Sequence, residues 1–327
     1  MRFALRRLGF FAVTLWACLT LNFLLPRLMP GSPIIAMMAK YHGRVTGQAL
    51  QAMENAFGIG SHASLPVQYI RYLGDMATGN FGISLTVTGV PVSQVIMGAI
   101  WWTLGLVGIT TVLAFVLGTL IGIVGAWRRG GWLDSILPPV FVITSSIPFF
   151  WIAMMLILLF ANQLHLFPPS GAYSNTLIPS LSWPFLSSVL HYALLPALAI
   201  LVTSIGGWVL TMRNTMVTVL AEDYIRMARA KGLSGWRIMF DYAARNAMLP
   251  NLSGFAMSLG FVVSGAILVE YVFSYPGVGF MLLQAVQNDD FALMQALFLL
   301  ITVAVLVAIL LADIVTALFD PRTRAAG

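Results

Sequence analysis

Long apolar runs alternate along the chain with short stretches in which nearly all the charge collects. Six runs qualify as membrane-spanning helices: Leu8 to Leu25, Trp101 to Ala126, Ile136 to Phe160, Ala193 to Met212, Leu252 to Val269, and Phe291 to Ala312. Each approaches or exceeds the roughly 20 apolar residues that carry a helix across a hydrocarbon core about 30 Å thick. From Ser135 to Met212 there is no Asp, Glu, Lys or Arg, a stretch too long for one crossing. Pro168-Pro169-Ser170-Gly171 breaks its pattern. Leu177 to Leu190 is apolar but contains Pro179 and Pro184, and it is read as an external interfacial loop, with re-entry into the membrane as the alternative. The pattern predicts an all-α membrane protein. Six transmembrane helices carry an extracytoplasmic insertion between spans one and two and a polar cytoplasmic loop between spans four and five.

Both connectors have predicted structure. In the outer insertion, 30–100, Thr46 is placed to cap a helix with Leu50, Met53 and Phe57 on one face, and Pro66 to Leu73 puts Val67, Ile70 and Leu73 together. In the inner loop, Glu222 and Asp223 open a short helix that ends in bases and is closed by Gly232, an order that suits the helix dipole and a left-handed stop. Ser234 is placed to cap a second helix running to Leu249 and stopped by Pro250.

Composition supports lipid as the solvent: of 327 residues, 59% are apolar and 9% charged, where a soluble chain carries roughly a quarter charged residues. The basic residues set the orientation. Arg2, Arg6 and Arg7 precede span one, and Arg128 and Arg129 follow span two. Arg213, Arg226, Arg229, Lys231, Arg237 and Arg245 lie between spans four and five, and Arg322 and Arg324 follow span six. With six spans all of these share one side, which predicts cytoplasmic termini in a multi-pass inner-membrane protein. The net charge of +6 follows from that bias, so no nucleic-acid partner is called for. The single cysteine, Cys18, excludes an internal disulfide. The run after Arg7 resembles a signal peptide but lacks a cleavage pattern, and it is read as a retained helix.

The polar loop carries the main functional signal. Two helices joined at a glycine corner are presented on an otherwise apolar protein. The small residues Ala228, Ala230 and Gly232 are expected to let a partner approach closely, with the bases giving polarity. An amphipathic loop lying on anionic lipid fits the same pattern.

At this point the residues resemble a known family. Met227-Ala228-Arg229-Ala230-Lys231-Gly232, with Leu249-Pro250 further on, is similar to the EAA loop of binding-protein-dependent ABC importer permeases. The run from Asp223 through Tyr224, Ile225 and Arg226 to Leu233, with Arg245-Asn246-Ala247-Met248-Leu249-Pro250, resembles the dipeptide/oligopeptide subfamily (DppB/OppB-like). Arg226 and Met227 depart from the general Glu-Ala pattern in the manner of that subfamily. The resemblance continues through Phe23 to Pro33, Leu65 to Tyr69, Gly79 to Ser84 and Pro91-Val92. It extends through Arg128 to Asp134, Ser146 to Trp151, Glu270 to Gly279 (with Phe273, Pro276 and Gly277), Asp313, and Asp320-Pro321-Arg322.

The resemblance implies a non-enzymatic transport subunit that forms half of a pore for peptides. The implied coupling residues are Tyr224, Arg226, Met227, Ala228, Arg229, Ala230, Lys231, Gly232 and Leu233. The implied partners are a second, homologous permease (DppC/OppC-like), two ABC ATPase subunits or domains that bind ATP and Mg, and an extracytoplasmic substrate-binding protein. The domain organisation that follows is an N-terminal tip and first helix, 1–29; an outer cap, 30–100; a permease domain, 101–320, with its coupling loop at 213–251; and a tail, 321–327. Nickel or an oligosaccharide is the alternative cargo. An ion-coupled carrier is the rival mechanism.

Other patterns carry less. No P-loop occurs, since Lys40 and Lys231 each follow an alanine. Gly232-Leu233-Ser234-Gly235 spells a rhomboid-type G-x-S-G, but it lies in a charged loop with no histidine near in sequence. The four histidines, His42, His62, His165 and His191, make no metal-ligand spacing. Glu270 and Asp313 are acids at span ends, read as interfacial anchors or structural hydrogen-bonding groups. Gly118 and Gly122 form a G-x-x-x-G pair expected to bring helices close.

Overall fold

The computed structural model describes residues 2–28, 64–264 and 266–319. The helix proposed at Thr46 to Phe57 lies outside them, as do Asp320, Pro321 and the side chain of Asp313. Among the described residues the fold is helical, with one isolated antiparallel bridge, Ile83 to Pro91. Its elements are α1 (Arg2–Leu28), α2 (Leu65–Thr78), α3 (Val92–Trp127), α4 (Trp132–Ser146), α5 (Phe149–Gln163) and α6 (Trp183–Val219). Then follow α7 (Asp223–Ala230), α8 (235–247), α9 (Leu249–Val262), α10 (Ile267–Val272), α11 (Val278–Gln287) and α12 (Phe291–Phe319).

Among the described residues three helices are long and apolar enough to cross a membrane, and four if the bent pair α4–α5 counts as one. Several spans differ from the sequence expectation. The third bends by 91° between α4 and α5, because Pro148 forces Ile147 out of the helical region and into an extended conformation. The fourth is longer at both ends: α6 runs for 37 residues and takes in Trp183 to Leu190, which had been assigned to a loop. Pro184 sits in its first turn, where a missing N–H costs nothing. The fifth divides into α9, which ends at Val262, and α10, which starts at Ile267. The second begins at Val92, nine residues early.

The described residues fall into two compact units. The first lies within Met1–Thr103, Val263–Ile267 and Pro276–Leu306. Its core joins Val92, Val95, Ile96 and Ala99 to Val278, Leu282 and Ala285 of α11 and to Leu293, Met294 and Leu297 of α12. Asp290, fully buried, fastens the turn that follows Ile83. One carboxylate oxygen accepts from Ser84 Oγ (2.6 Å) and from the amides of Leu85 and Thr86 (both 2.8 Å). The other accepts from Leu293 N–H (3.1 Å), so the same side chain caps the start of α12. α2 leans on α1 through Tyr69 and Tyr72, which meet Phe23 edge-on and tilted, while Tyr72 Oη accepts from Asn22.

The second unit lies within Leu104–Val262, Leu268–Tyr275 and Val307–Gly327. Here α3 and α6 meet without room for side chains at the expected glycines. A Cβ at Gly118 would stand 2.6 Å from Trp208 Cβ, and one at Gly122 would stand 2.7 Å from the Val209 carbonyl. Gly206 of α6 faces α4 in the same way, with the Phe141 carbonyl 2.9 Å from a would-be Cβ. Asn251 of α9 is buried beside this pair, donating to Thr119 Oγ1 and to the Trp208 carbonyl.

Candidate functional site

The polar loop between α6 and α9 folds into two short helices seated on the second unit. α7 starts where expected. Glu222 is extended at the N-cap, Asp223 stands in the first turn and Arg229 in the last, each charge matched to the dipole end it occupies. The Arg226–Asp223 ion pair on its surface (3.3 Å) is exposed and contributes little. Ile225 and Ala228, three positions apart, share the inner face and are buried. They join Ile123 and Ala126 of α3, Met212 and Met216 of α6, and Ile238, Met239, Ala243, Ala244 and Ala247 of α8 in one apolar core.

The end of α7 is a Schellman turn. Gly232 has φ +72°, its N–H donates to Arg229 O (2.9 Å), and Leu233 N–H donates to Ala228 O (3.3 Å). Leu233 folds back, half-buried, onto the same core. Among the described residues, chain neighbours aside, nothing lies within 4 Å of a Cβ built at Gly232. The space beyond the corner is open, and the left-handed backbone alone asks for glycine.

Several expectations change. Ala228 was expected on the approach face with Ala230 and Gly232, but it points inward, since the 3.6-residue turn places it over Ile225. Ser234 stands at the N-cap of α8 without a side-chain cap bond. α8 also departs from a plain helix: Ile238–Ala244 is π-helical, and the run ends at Ala247. Leu249 and Pro250 open α9 instead of ending α8, because proline fits a helix's first turn.

The outward face is apolar as well as basic. Tyr224, Arg226, Met227, Arg229, Ala230 and Lys231 are exposed on α7 and its end. Trp236 is 73% exposed and stacks on Phe240 with ring centroids 5.4 Å apart and planes 8° apart. Asn246 Nδ2 donates to Tyr224 Oη (3.2 Å) and to the Tyr242 carbonyl (2.9 Å), tying α8 to α7. The sequence reading missed Trp236 and Phe240. Their signal was available: aromatic residues four apart in a charged loop, out of phase with the buried Ile238, Met239 and Ala243.

At the root of the loop, Arg213 of α6 forms a partly buried ion pair with Asp134 of α4, through Nη2 and through Nε (2.8 Å). The other Asp134 oxygen accepts from Gly130 N–H (3.0 Å). The Glu270 to Gly279 run is not part of this face. Glu270 and Phe273 are buried, Glu270 fully, so it is no interfacial anchor. The chain then turns through Ser274 at φ +48°, with Tyr275 N–H on the Glu270 carbonyl (2.7 Å). The Phe273 carbonyl accepts from Gly171 N–H (2.8 Å). After Pro276, within the first unit, Gly277 is the N-cap of α11, and Thr103 Oγ1 receives the Val278 amide (2.8 Å). Gly279 is buried in the first turn of α11. Among the described residues no group of three or more His, Cys, Asp or Glu is placed to hold a metal ion.

The second unit thus joins apolar helices interlocked by glycine to a two-helix loop that turns on a Schellman corner. The family model described as the binding-protein-dependent transport system inner membrane component matches residues 118–325, and the chain belongs to that family. It is similar to the dipeptide transport system permease protein DppB of Lactococcus lactis subsp. cremoris, with 33% identity covering 99% of each chain. It is also similar to the di/tripeptide transport system permease protein DppB of Pseudomonas aeruginosa, with 34% identity covering 98% of each. The oligopeptide transport system permease protein AppB of Bacillus subtilis shares 31% identity over 92% of each. Among solved structures, a chain of the MetNI methionine ABC transporter in an inward-facing form shares the fold. It matches at TM-score 0.53 and 15% identity over 69% of this chain and 97% of that one.

Proposed function

We propose that the chain forms half of the translocation pore of an ATP-driven peptide importer and that α7–α8 is its coupling element. The observation that carries this reading is the two-sidedness of the loop. Its inner face shares one core with the ends of α3 and α6, so a displacement of α7 moves both helices. Its outer face offers Tyr224, Met227, Trp236 and Phe240 among arginines, a mixture suited to a protein partner. The peptide cargo rests on the relatives named for di-, tri- and oligopeptide transport. In this reading the chain has six spans with both termini cytoplasmic. A second, homologous permease completes the pore. An extracytoplasmic binding protein delivers the peptide, and two ATPase subunits or domains bind ATP and Mg and dock on α7–α8.

The test is Gly232→Asp beside Gly232→Asn in the assembled complex. Asparagine tolerates the left-handed turn, so it separates backbone strain from added charge at the corner. Gly232→Asp is expected to leave membrane insertion intact while peptide uptake and binding-protein-stimulated ATP hydrolysis fall together. Gly232→Asn is expected to retain most of both. Normal uptake by a correctly inserted and assembled Gly232→Asp transporter refutes the coupling role.

A further inference from the structure

The non-helical segment 164–182 and the first residue of α6 carry exposed apolar side chains that the transport reading leaves unused. Ile178, Leu181 and Trp183 are 84%, 93% and 75% exposed. They are large side chains within six positions, and an isolated cluster of this kind on a water-facing loop costs solubility. The segment that carries them is tied to α6. Tyr173 meets the Phe185 ring at 5.1 Å, Ser174 N–H donates to Ser188 Oγ (2.9 Å), and Phe167 stacks on His191 at 5.0 Å. The hydroxyls between the apolar residues turn to one another. Ser174 pairs with Thr176 (2.8 Å) and Ser180 with Ser182 (2.9 Å).

The position along α6 fits the same surface. At about 1.5 Å per residue, Trp183 stands about 45 Å along the axis from Arg213, the first charge after it. A bilayer with its headgroup layers is about 40–45 Å thick. With Arg213 and its partner Asp134 at the inner boundary, Trp183 falls at the outer one, where tryptophan is enriched. No Asp, Glu, Lys or Arg lies in the chain between Ser135 and Met212 to draw the patch toward water or an oppositely charged protein.

We infer that Ile178, Leu181 and Trp183 form a lipid-binding foot that seats the outer end of α6 at the headgroup–acyl boundary of the outer leaflet. The sidedness rests on the topology proposed above, and the depth does not. The sole cysteine makes the test direct. Cys18→Ser removes the native thiol, and Leu181→Cys and Ser64→Cys, made separately, place nitroxide labels on the foot and on a non-helical outer position. The full chain, assembled with its natural partners, is reconstituted in vesicles of phosphatidylethanolamine and phosphatidylglycerol. Collision with dissolved oxygen and with a water-soluble nickel chelate is then measured by power saturation. The expected result is an oxygen-to-nickel collision ratio several-fold higher at 181 than at 64. A ratio at 181 equal to that at 64 means a water-facing loop and overturns the inference. A label at 181 that is immobile and shielded from both reagents means a protein partner covers the patch and overturns it too. An impermeant thiol reagent applied from either side reads sidedness separately. A lipid-depth signal reached only from the inside would sink the topology while leaving the foot in place.

Discussion

Asp290 offers the sharpest energetic test of the fold. Its carboxylate is fully buried and accepts four hydrogen bonds, three from the turn at Ser84 to Thr86 and one from Leu293. In Asp290→Ala the Ser84 hydroxyl is free to rotate, but the amides of Leu85, Thr86 and Leu293 lose their acceptor. A buried donor left unmet costs about 1–3 kcal/mol, and with the Leu293 amide buried and the other two part-buried the sum is on the order of 3 kcal/mol. At 1.4 kcal/mol per tenfold, amide protection in peptides covering 84–90 and 290–297 is expected to fall about a hundredfold. In Asp290→Asn one oxygen still serves the turn, and the loss is the charge and the cap on α12, about 1 kcal/mol or roughly fivefold. Hydrogen exchange with mass spectrometry on the detergent-solubilised protein reads both variants. Protection in Asp290→Ala within about twofold of the parent in both peptides would show that these bonds do not hold the turn, whatever their geometry.

Other outcomes follow from placement. Ala228→Asp puts a carboxylate into the core shared by α3, α6 and α8, so it is expected to lower the thermal stability of the solubilised protein, whereas Gly232→Asp is expected to leave it near the parent's. Ser234→Ala removes no side-chain cap bond and is expected to change stability by less than about 0.5 kcal/mol, with uptake retained. Reporter fusions at Gly130, Gly235 and Gly327 are expected to read cytoplasmic, and those near Gly60 and Ser174 external; an external signal at Gly235 would reverse the orientation and with it the docking argument.

The sequence carried the elements whose cause is local. Acid-first, base-last charge and a closing glycine were enough to place α7 and its left-handed stop, because capping is decided within a few residues. The glycine pair at Gly118 and Gly122 announced a close helix approach, though not that α6 would be the neighbour. Hydropathy located apolar segments but could not see where they break, since the bend before Pro148 and the division between α9 and α10 leave the average apolarity unchanged. It also ended the fourth span at lipid thickness, while α6 goes on as a helix beyond that length at both ends. The inward turn of Ala228 is a tertiary fact: a small residue suits a tight core as well as a docking face, and only the position of α8 decides between them. Asp290 was passed over for a similar reason, because its three partners at Ser84 to Thr86 lie some two hundred positions away in the chain.

The glycine contacts between α3 and α6 limit what can move. With Gly118 and Gly122 set against Trp208, Val209 and Met212 at backbone distance, neither helix has free surface along which to slide. A one-residue shift of either would drive side chains into the other's main chain. The two therefore travel as a single strut, and whatever tilts one end displaces the other by an amount set by length alone. In a transport cycle the joints must lie elsewhere, as at the sharp bend between α4 and α5. A pair of distance probes, one on each helix of the strut, should report the same separation in every state.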